Sequence, residues 1–207
     1  MQDIKFVISL GSSCFTSYLL KDVHLKLFSC PFDWIFSSPE MIQDCIDDNF
    51  LKFMDKSLYT NYLSNQSSAT HRYYGKAFLH HDPRNETHSN YFQRCVNRFN
   101  KVLLSPMHKL FVISLVNIPA YCETTDYIVL HNYLKSKTDN FKMLILVHIL
   151  TNNKELPNIV EFEDYTIKYI FVEERLCNYK FETDEYNQLF RDCLTESEAL
   201  TFNLTNV

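Results

Sequence analysis

The chain has 207 residues, of which 46% are hydrophobic and 22% charged, the balance of an ordinary soluble globular protein. Its formal net charge of -5 argues against nucleic acid as the main partner, because phosphate binding needs a surplus of basic residues. No apolar run approaches the roughly 20 residues of a membrane-spanning helix, and the first residues do not have the form of a signal peptide.

The seven cysteines are an odd number and include no CxxC pair, so we expect reduced thiols and a cytoplasmic location. The same pattern argues against a disulfide framework and a zinc ribbon, and we predict neither a metal nor a cofactor. The scarcity of glycine, with the abundance of Asn, Lys, Tyr and Ile, suggests an AT-biased genome such as that of a parasite or large DNA virus. Nothing in the sequence marks a linker or an oligomeric state, so we predict a single domain over residues 1–207.

Short apolar runs rich in β-branched and aromatic residues predict the strands. Each run is almost continuously apolar, which is typical of strands buried on both faces of a parallel sheet. The four runs are Ile4–Leu10, Leu110–Val116, Met143–Leu150 and Ile167–Val172. With helical patterns between them, they predict a three-layer α/β fold, Rossmann-like or SGNH-like, with a mostly parallel sheet and helices on both faces.

The helices are predicted from caps and from apolar residues at helical spacing. Ser38, Pro39 and Glu40 have the form of a helix start, and later apolar stripes begin near Phe92, near Tyr127 and after Thr183. The stretch from 58 to 90 is polar and has no clear period, so we expect a long loop there.

The turn after the first strand contains the most informative residues. Gly11 allows a tight turn, and Ser12 or Ser13 can cap the helix that follows. Cys14 would then lie in the first helical turn, where backbone N–H groups favour a thiolate and can stabilise an oxyanion. The same pattern also suits a buried core cysteine, because free cysteine is among the most buried residue types.

Two further segments carry candidate site residues. Asp33, beside the only tryptophan, Trp34, is either an acid near the first turn or a hydrogen-bonded structural carboxylate. His80, His81 and Asp82 close the polar stretch, and a histidine there can serve as base to a cysteine brought close by folding. Adjacent histidines without a third ligand at usable spacing do not predict a zinc site.

The order of these motifs resembles a family labelled "putative papain-like cysteine peptidase", a domain of unknown function. The resemblance implies a cysteine-dependent hydrolase that acts by acyl transfer or amide hydrolysis on a peptide or an acylated small molecule. It implies Cys14 as nucleophile and His81 as base, with Asp33 or Asp82 orienting the imidazole. The matching positions are Ser9, Leu10, Gly11, Cys14, Pro31, Phe32, Asp33, Trp34, His81, Asp82, Arg94 and Arg98. Trp34, His80, Arg94 and Arg98 are then supporting residues.

Two other functions remain open from the sequence. A nucleophile after the first strand of a parallel sheet also resembles the SGNH/GDSL esterases, which would make the protein an esterase or acetyltransferase in which Ser12 or Ser13 attacks an acylated glycan. Those enzymes carry a late D-x-x-H motif, and none occurs near this carboxyl terminus. The third possibility is a catalytically inactive binding module.

A papain-like fold would place the histidine on an antiparallel sheet, whereas the four apolar runs predict a mainly parallel one.

Overall fold

The computed structural model describes residues 4–61, 68–119, 124–151 and 158–195. The strands are β1 (Phe6–Ser9), β2 (Tyr59–Asn61), β3 (Ala69–His71), β4 (Gly75–Phe78), β5 (Lys109–Pro119), β6 (Phe141–Leu150), β7 (Asn158–Glu161) and β8 (Tyr165–Val172). The helices are α1 (Cys14–Asp22), α2 (Pro39–Asp47), α3 (Leu51–Met54), α4 (Glu86–Leu103), α5 (Thr125–Lys135) and α6 (Asp184–Thr195). In this described part, no helix is both long and apolar enough to cross a bilayer.

The main sheet has the strand order β1-β5-β6-β8-β7. All neighbouring pairs are parallel except β7–β8, which places an antiparallel strand at one edge. The four predicted runs correspond to β1, β5, β6 and β8, and the predicted mostly parallel sheet is confirmed. Seven consecutive residues of β6, 143–149, are buried, as expected for a strand covered on both faces.

Helices cover both faces of this sheet and form the predicted three layers. On one face, α1 and α6 pack on residues such as Val112 and Leu146. On the other face, α2, α4 and α5 pack on alternate residues of the same strands, such as Phe111 and Ile145. The alternation places successive side chains of one strand in two separate cores.

The prediction of a loop over the polar stretch 58–90 is wrong for part of that stretch. A small antiparallel sheet, in the order β2-β3-β4, occupies it, and α4 begins before its end. Its strands have only three or four residues, too few to show a period of two in the sequence. Tyr59 and Phe78 are buried against Phe53 of α3, which fixes the small sheet on the core.

The helix predicted after Ser38 is also interrupted. Asn49 and Phe50 both adopt positive φ angles, 53° and 62°, and separate α2 from α3. The backbone N–H of Phe50 donates to the carbonyl of Cys45 at 2.7 Å. Asparagine tolerates this left-handed conformation, and the Phe50 ring is buried among Phe32, Phe53 and Phe99, which holds the second residue in place.

Candidate active site at the end of the first strand

The turn after β1 is held against the segment that follows Pro31, Phe32, Asp33 and Trp34, which we call the PFDW segment. Gly11 has a φ of +98°, and a Cβ atom at this position would lie 1.8 Å from Ser37 Oγ. The Ser37 hydroxyl donates to the carbonyl of Leu10 at 2.7 Å, and the Ser37 backbone N–H donates to the carbonyl of Ser12 at 3.2 Å. Glycine is therefore required both by the backbone conformation and by the close approach of Ser37.

The neighbouring strand β5 fixes the same turn from the other side. The Gly11 carbonyl accepts from Thr16 Oγ1 and, at 3.2 Å, from the N–H of Ser114. The Ser12 hydroxyl donates to the carbonyl of Ser114 at 3.0 Å. Ser13 caps α1 by accepting from the N–H of Phe15 at 3.4 Å. These bonds hold the first turn of α1 at the carboxyl end of the parallel strands, where ligands bind in open α/β sheets.

Cys14, the first residue of α1, lies against a cavity of about 250 Å³. Its side chain is 4% exposed. The cavity is lined by residues from five parts of the chain: Ser13, Cys14, Phe15, Phe36, Leu79, His80, Val116, Asn117, Leu176, Asn178 and Tyr179. The start of α1, the end of β5 and the segments before α2, after β4 and after β8 thus meet around one thiol.

Tyr179 connects the thiol of Cys14 to an imidazole. Its hydroxyl lies 2.7 Å from Nε2 of His80 and also interacts with the Cys14 side chain. Burial raises the pKa of the Cys14 thiol above its ordinary value, and the interaction with Tyr179 acts in the opposite direction. Our expectation of a thiolate at the helix start is therefore not what the structure favours. The resting group is a thiol, so its attack on a carbonyl needs a base.

The backbone holds Tyr179 in an unusual conformation. Asn178 and Tyr179 have consecutive positive φ angles, 48° and 70°, which are rare for residues with a side chain. Asn117 fixes the start of this turn, because its side chain donates to the Leu176 carbonyl at 3.1 Å and accepts from the Leu176 N–H at 2.8 Å. Such strained residues persist where surrounding contacts hold them, and they concentrate at functional sites.

The two adjacent histidines are separated by the fold. His80 is exposed and lines the cavity, whereas His81 stacks on Tyr91 with a ring distance of 5.1 Å and packs edge-on against Phe92. Burial, together with His88 and His80, lowers the pKa of His81 to about 4. His81 is not among the residues that line the cavity, so the structure brings His80, and not the predicted base, to Cys14 through Tyr179.

Asp33 is a buried partner of Lys26. It is 2% exposed, forms an ion pair with the Lys26 ammonium and accepts from the N–H of Cys30 at 2.8 Å. Burial raises the pKa of Asp33, and Lys26 opposes this effect. The Lys26 ammonium also contacts Ser17 of α1 and lies 5.1 Å from the centre of the Trp34 ring. The Asp33–Lys26 pair therefore fastens the PFDW segment beneath the helix that carries Cys14.

The other predicted site residues lie away from the cavity. Asp82 binds the guanidinium of Arg84, with distances of 2.9 and 2.6 Å to its two oxygens, and this pairing lowers the pKa of Asp82. Its carboxylate therefore does not orient an imidazole. Arg94 and Arg98 are exposed on α4, and Arg98 has one long hydrogen bond of 3.5 Å to the Ser29 carbonyl.

Sequence reasoning did not identify Tyr179 or Asn117 as site residues. Asn117 could have been found, because it follows a predicted strand at the edge of the sheet where ligands bind. Tyr179 lies in a short segment between β8 and α6, and no local pattern indicates its role. Among the described residues, no group of three His, Cys, Asp or Glu side chains could hold a metal ion.

The comparisons with known proteins agree with the motif order. Neither the curated proteins nor the solved structures include a significant match. The family model described as "Putative papain-like cysteine peptidase (DUF1796)" matches residues 5–151. This range contains Cys14, His80 and Asn117 and ends before Tyr179. Since the match extends over more than half of the 207 residues, the chain belongs to that family.

Proposed function

We propose that the protein is a cysteine-dependent hydrolase or acyltransferase that forms a thioester at Cys14, with His80 as the base. One observation carries this proposal: the Tyr179 hydroxyl hydrogen-bonds to Nε2 of His80 and interacts with the Cys14 side chain beside an open cavity. A nucleophile within hydrogen-bond reach of a base, directly or through one relay group, is the arrangement that covalent catalysis requires.

In the first step the Cys14 sulfur attacks the substrate carbonyl and forms a carbon–sulfur bond. The thiol proton passes to the Tyr179 oxygen, while the Tyr179 hydroxyl proton passes to Nε2 of His80. Tyr179 is thus unchanged at the end of the step, and His80 becomes an imidazolium. This proton transfer suits a thiol with a raised pKa, which is not ionised before the substrate arrives.

The amino-terminal end of α1 supports the charge that develops on the carbonyl oxygen. Cys14 is the first residue of this nine-residue helix, so the oxygen forms near the positive end of the helix dipole. Backbone N–H groups directed at such an oxyanion are a strong source of transition-state stabilisation. The bonds of Gly11 and Ser12 to β5 hold this helix end in place before substrate binds.

In the second half of the reaction the leaving group departs and the enzyme is restored. The His80 imidazolium returns its proton through Tyr179 to the leaving amine or alkoxide as the carbonyl–leaving group bond breaks. Water, or another acceptor, then attacks the thioester and loses its proton to His80. As the carbon–sulfur bond breaks and the acyl group departs, the His80 imidazolium returns this proton through Tyr179 to the Cys14 sulfur. The substrates that fit these reaction steps are peptides and other acylated small molecules.

The test compares two variants that remove one imidazole each and keep an aromatic ring. We expect His80→Phe to slow the release of p-nitrophenol from p-nitrophenyl acetate by about 100-fold, the usual minimum for loss of a general base. We expect His81→Phe to leave this rate unchanged, because His81 stacks on Tyr91 outside the cavity. Circular dichroism verifies that both variants are folded.

Cys14→Ala is measured as a third variant, and the outcomes lead to different conclusions. If His81→Phe is slow and His80→Phe is normal, the base is His81, as the resemblance implies, and our assignment is wrong. If neither substitution changes the rate while Cys14→Ala does, the cysteine acts without either imidazole. If all three variants match the wild type, the cysteine mechanism is refuted and the binding-module function is favoured.

A further inference from the structure

A second cavity, of about 450 Å³, lies beside the Cys14 cavity. We call it the aromatic groove, and it is defined by Phe36, Ser37, Ser38, Glu40, Met41, Asp44, Tyr73 and Tyr74. Phe36 lines both cavities and has 45% of its surface exposed. The two cavities therefore share this side chain as a common wall. A substrate bound at Cys14 can therefore extend past Phe36 into the aromatic groove.

The same two chain segments form walls of both cavities. Residues 36–41 run from the boundary at Phe36 along the aromatic groove, and Ser37 is the residue that packs on Gly11 beside Cys14. Residues 73–80 run from the tyrosines of the groove through β4 to Leu79 and His80 at the Cys14 cavity. The groove is thus continuous with the site to which we assign the chemistry.

The groove combines aromatic walls with an excess of negative charge. Its two acidic residues are Glu40 and Asp44, and Asp44 already pairs with Lys52 at 2.5 Å and accepts from the Tyr74 hydroxyl at 2.7 Å. Glu40 is exposed and has no ion-pair or hydrogen-bond partner for its carboxylate among the described residues. One carboxylate is therefore left to interact with a ligand.

An ammonium group of the protein itself already lies beside an aromatic ring of the groove. The ammonium of Lys52 lies 5.9 Å from the centre of the Tyr73 ring while it pairs with Asp44. Aromatic faces attract cations, and they also cover the aliphatic stem of a long basic side chain. An anion is disfavoured, because Glu40 occupies the first turn of α2 and Ser38 already caps this helix by accepting from the Met41 N–H at 3.2 Å.

We propose that the aromatic groove binds a lysine or arginine side chain in the acyl portion of the substrate, near the carbonyl attacked by Cys14. This inference rests on the proposed function and names its substrate class. The stem lies against Phe36 and Tyr73, and the terminal cation pairs with Glu40. The protein would then act preferentially on peptides with a basic residue on the acyl side of the reacting bond.

The test measures how fast dipeptide acyloxymethyl ketones alkylate Cys14, with the site and rate read by intact and peptide mass spectrometry. Three matched probes carry lysine, norleucine or glutamate, and each side chain is placed first at the residue next to the ketone and then one residue further away. We expect the lysine probe to react about fivefold faster than the norleucine probe at one of these positions, the factor of one partly exposed charge pair. The glutamate probe should be the slowest.

The Glu40→Gln variant, which keeps the shape of the side chain, should lose the lysine preference and react with the norleucine probe at the wild-type rate. Glu86→Gln, an exposed first-turn acid of α4 outside the groove, is the matched control and should keep the preference. Equal rates for lysine and norleucine probes at both positions, or a preference that survives Glu40→Gln, would overturn the inference. Failure of every probe to modify Cys14 would instead count against the proposed function, and with it against this inference.

Discussion

Tyr179→Phe removes one oxygen atom from the connection between Cys14 and His80. The lost hydroxyl lies 2.7 Å from His80 Nε2 and interacts with the Cys14 side chain. In the wild type this interaction opposes the effect of burial on the pKa of Cys14. Its loss therefore raises that pKa further and disconnects the thiol from its base.

The size of the effect follows from the value of one hydrogen bond to a charged group. A hydrogen bond from the phenol to the Cys14 thiolate contributes about 1.5–3 kcal/mol, so its loss raises the pKa of Cys14 further. At neutral pH, below the pKa, this free energy corresponds to a thiolate fraction about 10- to 100-fold smaller. We expect alkylation of Cys14 by iodoacetamide at pH 7 to slow by about 10- to 100-fold.

The assay is a pH–rate profile of alkylation, with each cysteine quantified separately by peptide mapping. Tyr18→Phe is the matched control, because the Tyr18 ring stacks on that of Tyr179 at 5.9 Å while its hydroxyl has no part in the proposed connection. We expect Tyr179→Phe to move the Cys14 profile to higher pH and leave its plateau unchanged, and Tyr18→Phe to leave the profile in place. Identical profiles for the wild type and Tyr179→Phe would refute the role of the phenol.

Three further predictions concern stability, measured as the free energy of unfolding in urea. Gly11→Ala should cost about 3 kcal/mol, because the new Cβ lies 1.8 Å from Ser37 Oγ at a φ of +98°; a loss below about 1 kcal/mol would show that the turn can relax. Lys26→Met should cost about 3–5 kcal/mol, since it leaves the Asp33 charge buried and unpaired, and the double variant with Asp33→Leu should recover most of that loss; no recovery would contradict this explanation. The pKa of His81 is lowered from 6.5 to about 4, so the unfolded state binds this proton first and stability falls as pH decreases from about 6.5 to about 4. His81→Phe should remove up to about 3 kcal/mol of that acid destabilisation, and an unchanged pH dependence would show that His81 is not the group responsible.

The main sheet could be predicted from the sequence because strands buried on both faces leave continuous apolar runs. Residues 143–149 are the clearest case, since all seven are buried. The small sheet could not be predicted, because strands as short as Ala69–His71 carry no usable period. Phe50 shows a further limit: Asn49 ends α2 in the left-handed conformation that asparagine tolerates, but the apolar spacing does not indicate that the buried Phe50 adopts a positive φ as well.

The nucleophile position could be predicted from a strand, a glycine and a capped helix, all of them local features. The choice between His80 and His81 could not, because neighbours on an extended segment point to opposite sides and only the tertiary fold decides which side faces Cys14. The raised pKa of Cys14 has the same origin, since burial by distant segments outweighs the local effect of the helix start. Tyr179 reaches the site from a turn fixed by Asn117, which no local pattern indicates.

The most direct test of the central claim is the location of the acyl group during turnover. The protein is mixed with p-nitrophenyl acetate, quenched in acid within the first turnover and digested, and the peptide with the added mass of one acetyl group is identified by mass spectrometry. The account predicts an acetyl thioester on Cys14 that hydroxylamine removes and that is absent in Cys14→Ala. An acetyl group on Ser12 or Ser13 would contradict it and establish the serine mechanism, and acetylation confined to the exposed Cys177 would show that Cys14 is not the nucleophile.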